Sequence, residues 1–162
     1  MEPPASRPYM PGYGILTASE GSGLLPWSWA VERLETSHDY WISTTWADGR
    51  PHVTPVWGAW IDGGIWFSCS LESRKAKNLD RDPRCSIATD DAYKPVIVDG
   101  VAERVHDGSD VRRFTDVSNA KYETDYSIDF FAANALFAIR PRSVFALDED
   151  DFPGSPTRWR FS

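Results

Sequence analysis

Two turn signals, Asp48-Gly49 and Asp62-Gly63-Gly64, constrain this chain most. Each lies between runs rich in Trp, Ile, Val and Thr, and Asp and Gly tolerate the positive φ that a tight hairpin demands. Tyr40 to Trp46, His52 to Ile61 and Ile65 to Ser70 therefore read as three strands of an antiparallel meander. Further strands are expected at Cys85 to Thr89, Val96 to Val105 and Ala135 to Leu147. Helical spacing puts Trp27, Ala30, Val31 and Leu34 on one face. It also predicts helices over Ser73 to Asp80, stopped by Asp82-Pro83, and over Asp110 to Tyr122. The expected class is mainly β, in the α+β sense: six or seven antiparallel strands closed into a barrel, with helices packed outside. Two prolines bear on that reading. Pro55 breaks the ladder of the second strand, leaving a bulge or backbone turned to a ligand, and Pro141 requires an edge, a strand end or a bulge.

Residues 1–26 are rich in Pro, Gly and Ser without a sustained period, and read as an extended arm before a single domain over 27–162. That domain includes a tail whose ending, Thr157-Arg158-Trp159-Arg160-Phe161, is too aromatic to lie free in water. A chain of 162 residues builds a core without disulfides, and Cys69 and Cys85 read as small buried hydrophobes. The net charge of -7 argues against nucleic acid as the main partner. The first residues lack the apolar run of a signal peptide and no stretch reaches membrane-spanning length, so a soluble cytoplasmic protein is expected. Eight Trp, six Tyr and eight Phe exceed the needs of a core this size and suggest a ligand pocket or a subunit interface.

The chemistry concentrates where the third strand runs into a helix, at Ser68-Cys69-Ser70-Leu71-Glu72-Ser73-Arg74-Lys75-Ala76-Lys77-Asn78-Leu79. Free N–H groups and the positive end of a helix dipole favour an anion, and cations in a first turn oppose that dipole unless an anion neutralises them. A phosphate site and a merely solvated basic helix start are both compatible with these residues. Three widely spaced His make a metal site improbable, and Ser37-His38-Asp39 is only a local triplet, since a triad is recognised by spatial geometry and not by adjacency. His38 and His106 receive no role, while His52 is a possible proton source that reads more naturally as structural. Among the tryptophans, Trp57 is the pocket choice as a flat wall, with Trp60 and Trp66 as core residues.

These residues carry a resemblance. Trp41-Ile42-Ser43-Thr44-Thr45, the run Asp48 to Trp57, Ile65-Trp66-Phe67-Ser68, Ser73 to Leu79, Asp82-Pro83-Arg84, Asp99-Gly100-Val101-Ala102 and Arg158-Trp159-Arg160-Phe161 look like the pyridoxamine 5'-phosphate oxidase-like split-barrel superfamily. Within it they are most similar to the B group of actinobacterial flavin/deazaflavin oxidoreductases. The resemblance implies a homodimer of split barrels with two cofactor sites at the subunit interface. It places phosphate contacts on Ser73, Arg74 and Lys75, with Asn78 one turn further on. It sets Thr54, Pro55, Val56 and Trp57 beside the tricyclic ring, Ser68 and Ser70 beside the ribityl chain, and Arg158 and Trp159 across the dimer. The implied cofactor is the deazaflavin coenzyme F420, whose glutamyl tail would suit Lys77, Arg81 or Arg84, with FMN as the alternative. The implied activity is hydride transfer to a small conjugated or aromatic acceptor, such as a quinone, an unsaturated ketone or a tetrapyrrole. It needs no side-chain nucleophile, because the cofactor carries the chemistry. The second strand carries His52, Thr54 and Trp57 where a pyridoxamine phosphate oxidase would carry more cations, which lowers the odds of that activity. A non-catalytic binder that stores a cofactor or haem is the other functional class.

Overall fold

A computed structural model describes residues 1–162. Nine strands and four helices follow in order: β1 (Ala5–Ser6), α1 (Trp27–Thr36), β2 (Asp39–Thr45), β3 (Pro51–Trp57), β4 (Ala59–Ile61), β5 (Gly64–Cys69), α2 (Arg74–Arg81), β6 (Arg84–Thr89), β7 (Val96–Arg104), α3 (Gly108–Tyr122), α4 (Ile128–Ala132), β8 (Ala135–Ala146) and β9 (Thr157–Arg160). The long second strand expected from the sequence is two strands, β3 and β4, broken at Gly58. β3 pairs with β2 and β4 with β5, and the ladder continues from β5 through β8, β7 and β6 back to β2. Counted with β3 and β4 as one bent strand, the wall is a split antiparallel barrel.

The break at Gly58 has a steric and a polar cause. A Cβ on Gly58 would lie 3.2 Å from the Tyr40 ring and 3.2 Å from the Trp66 carbonyl, so glycine lets the chain pass where any side chain would press on both. The rungs that the strand loses there come from α3. Tyr122 Oη accepts from the Gly58 N–H at 2.8 Å and donates to the His38 carbonyl at 2.6 Å. Lys121 Nζ donates to the Gly58 carbonyl at 2.8 Å and to Tyr40 Oη at 2.9 Å. Burial brings the Lys121 amine down to about 8 and pushes the Tyr122 phenol up to about 12.

Strand alternation fills the barrel. Tyr40, Ile42, Ile65, Phe67, Ile87, Val96, Val98, Phe137 and Ile139 form its interior, sealed by Leu34 of α1 and Ala76 and Leu79 of α2. A second core lies outside the wall, where Trp66, Leu136 and Ala138 meet Val111 and Phe114 of α3 and Phe131 of α4. β8 is buried at every position from Ala135 to Ile139 because it is covered on both faces. Pro141 sits at a register shift in the β7–β8 ladder, as one of its three expected placements. Pro55 lies on β3, whose far edge pairs with no strand, so its missing N–H interrupts no second ladder.

The N-terminal segment is more structured than its composition suggested. β1 pairs with β9, Leu16 N–H donates to the Pro153 carbonyl at 2.9 Å, and Arg7 donates to the Pro156 and Thr17 carbonyls at 2.9 Å each. Composition missed this because the pairing with β9 and the contacts to Pro153 and Pro156 lie more than a hundred residues away in sequence. No helix is long and apolar enough to cross a membrane.

Candidate functional site

Helix α2 begins one residue after the start expected from the sequence. Ser73 is its N-cap, its Oγ accepting from Ala76 N–H at 3.3 Å and donating to the Ser70 carbonyl at 2.7 Å. The first turn contains no acid, and neither Arg74 nor Lys75 forms an ion pair. The Arg74 guanidinium lies 4.2 Å from the centre of Trp46, on a ring that also meets Arg50 at 4.5 Å. Two cations and the dipole thus converge at one end of a short helix without a counter-charge from the chain. Other basic residues nearby are committed: Lys77 to Glu72 at 3.7 Å, Arg84 to Asp82 at 2.8 Å, and Arg81 to the Thr45 carbonyl.

From this helix start, Ser70 leads into a cavity of about 400 Å³. Its lining is Trp57, Ser68, Cys69 and Ser70 on the barrel side, and Phe114, Ser118, Tyr126, Phe130, Phe131 and Asn134 on the side of α3 and α4. Trp57 is held flat against Tyr122, ring centres 4.2 Å apart and planes 4° apart. Tyr126 and Phe130 form a second stacked pair at 4.6 Å. Asn119 secures the segment that carries them, donating to the Tyr126 carbonyl at 2.8 Å and accepting from its N–H at 3.0 Å.

The residues expected at the site divide. Trp57, Ser68 and Ser70 line the cavity, whereas Ser73, Arg74 and Lys75 lie outside its lining, at the helix start that follows Ser70 in the chain. Pro55 is exposed on the outer face of β3 beside Trp57. Thr54 and Val56 point the other way, into the barrel, as alternation requires. Val56 belongs to the core, while Thr54 Oγ1 is buried with no hydrogen-bond partner, as is His52 Nδ1 two residues earlier. Asn78 is only 1% exposed, and its amide donates to Thr44 Oγ1 at 3.1 Å, tying α2 to β2. Trp159 is buried in the core, edge-on to Trp27 at 5.3 Å. Arg158 stands half-buried on β9 opposite Phe145, away from the cavity lining.

Sequence reasoning missed the far wall. Phe114, Ser118 and Tyr122 fall four residues apart on α3, a stripe legible at helical spacing once a partner for it is known. α4 was missed because five residues are too few for a periodic signal. The structure has no group of three or more His, Cys, Asp or Glu side chains placed to hold a metal ion.

The residues present fit an anionic, ring-bearing cofactor. The unneutralised cations at α2 suit a phosphate, and the adjoining cavity suits a flat body. No curated protein matches the chain. Among solved structures, the conserved hypothetical protein Rv2991 from Mycobacterium tuberculosis is 28% identical, with a TM-score of 0.70 over 77% of this chain and 86% of that one. A structure described as an F420 reductase is 23% identical, with a TM-score of 0.58 over 70% of this chain and 93% of that one. The haem storage protein HutZ from Vibrio cholerae is 22% identical, with a TM-score of 0.57 over 74% and 89%. Both of the latter share the fold. The family described as pyridoxamine 5'-phosphate oxidase matches residues 30–150, most of the chain including β2 to β8, and this protein belongs to that family.

Proposed function

We propose that this protein is a reductase that binds coenzyme F420 and passes a hydride from it to a small conjugated acceptor. The observation that carries the reading is the pair Arg74 and Lys75 at the start of α2, without an acidic partner and next to an aromatic cavity. When bound, the reduced deazaflavin supplies the hydride. The chain's own work is to hold and to exclude water. Lys75 and Arg74 would neutralise the cofactor phosphate, aided by the amides of the first turn, and Trp46 would keep the Arg74 guanidinium in place by stacking. Trp57, fixed by Tyr122, would form a rigid wall beside the ring, and the aromatic residues of α4 would keep the reacting face dry.

A homodimer is part of the same reading. No helix covers the outer face of β2 and β3, and Trp41, Val53 and Trp57 are 50%, 56% and 45% exposed there. Cross-strand pairing aligns Pro55, Trp41, Ala88, Ile97 and Phe145 in one apolar row, a surface that suits a second copy.

Titration of the purified protein with F420 and separately with FMN, followed by cofactor fluorescence, tests the reading. Tight F420 binding that falls about tenfold or more in Lys75→Ala, the loss of one charge-assisted contact, is the expected result. Preference for FMN would assign the site to a flavin, and haem binding without F420 binding would favour storage over reduction.

A further inference from the structure

The cavity is not uniform along its length. Cations stand behind its lining at Cys69, where burial pushes the thiol's titration up and Lys75 and Arg104 oppose that rise. Beyond that point none of the ten lining residues carries a charge. Tyr126, Phe130, Phe131 and Phe114 supply aromatic faces and edges, with Phe114 and Phe131 edge-on at 5.0 Å. The polar groups there are neutral. Ser118 is 6% exposed yet lines the cavity, and no group of the chain hydrogen-bonds to its hydroxyl or to that of Ser68. Asn134 spends its N–H on the Phe130 carbonyl at 2.8 Å, which leaves its side-chain oxygen as an acceptor.

We propose that this uncharged end seats the hydride acceptor, and that it selects a flat, neutral ring system bearing a carbonyl, which the Ser118 hydroxyl contacts. The inference rests on the reductase reading and narrows it. A carboxylate or phosphate placed among these residues would lose its hydration with no cation to receive it, so phosphorylated pyridoxal-type compounds and acid-bearing tetrapyrroles are disfavoured. A neutral ring loses little on entering and gains stacking with Tyr126 and Phe130. A hydroxyl built to meet a carbonyl discriminates against an analogue without one, because the buried group would then go unpaired.

The test uses three rigid probes that do not react with thiols: 9-fluorenone, its 4-carboxylate, and fluorene, which lacks the carbonyl. Binding is measured by calorimetry and ligand-observed NMR on the protein alone and on protein saturated with F420. The expected result is that fluorenone binds in both states, roughly tenfold or more tighter than the carboxylate. Phe130→Ala, a change at an exposed wall residue, should weaken fluorenone and fluorene together, whereas Ser118→Ala should weaken fluorenone alone and close the gap between the two. Unaltered melting temperatures would show that both variants are folded. Equal or tighter binding of the carboxylate, displacement of fluorenone by F420, or a Ser118→Ala effect shared with fluorene would overturn the proposal. Failure of fluorenone to bind a protein that binds F420 would remove this inference alone. Failure of F420 to bind would remove the reading beneath it.

Discussion

The two outer faces of one barrel have opposite fates. Beneath α3 and α4 the wall is covered, and Trp66, Leu136 and Ala138 are at most 2% exposed. Across β2 and β3 the wall is bare, and Trp41 and Val53 stand half in solvent. Both faces carry apolar side chains at alternate positions, so patterning does not distinguish them. What differs is the cover, a helix pair that the chain supplies on one side and leaves out on the other. Burial within the chain marks where stability resides, and apolar exposure marks where something else is to bind. The cavity lies at the margin of the covered face, with Trp57 standing on the boundary between the two.

The comparison breaks most visibly on the covered side. Phe137→Ala in the strand shared by both cores should cost about 3 to 5 kcal/mol, read as a shift in the denaturant midpoint. Asn78→Ala should cost roughly 1 to 3 kcal/mol by stranding the Thr44 hydroxyl, with a loss of cofactor affinity no larger than the loss of stability explains. On the bare side the expectation is reversed. Trp41→Glu should leave the melting temperature of the monomer within a few degrees while abolishing dimerisation in sedimentation velocity, and a dimer that survives would refute that interface. The smallest effect is at the junction. Lys121 titrates near 8 in the folded state, below its ordinary value in the unfolded chain. Between those pH values the unfolded chain binds more protons, so the site's contribution to stability rises with pH there and is least favourable below 8. A modest gain in stability from pH 7.5 to 9.5 that Lys121→Met lacks, together with an NMR titration of its ε-methylene near pH 8, is the expected outcome.

Much of the fold was legible because its signals are local. The turns at Asp48-Gly49 and Asp62-Gly63 fixed the meander, and Gly49 and Gly63 do adopt φ of +90° and +74°. The helix expected over Ser73 to Asp80 forms one residue later, over Arg74–Arg81, because its start and its stop at Asp82-Pro83 are local signals. The break at Gly58 was not legible, because its cause is the Tyr40 ring and a helix far along the chain. The site was half legible for the same reason. Its basic end is a continuous stretch of sequence, whereas its aromatic wall is assembled from α3 and α4 by packing alone. The burial of Asn78 and Trp159 was not legible, because a motif gives position along an element and not the direction in which a side chain points.

The bridge at Gly58 also bears on the order in which the molecule can form. Its two rungs come from Lys121 and Tyr122, which follow it by 63 and 64 residues. On a ribosome the meander β2 to β5 emerges first, with its seam unsealed until α3 has been made and has docked. Long-range closures of this kind come late and slowly. β5 in turn keeps an unpaired edge until β8 has followed, so the interval from β5 to the end of β8 is the one in which the growing chain is most open to pairing with other chains.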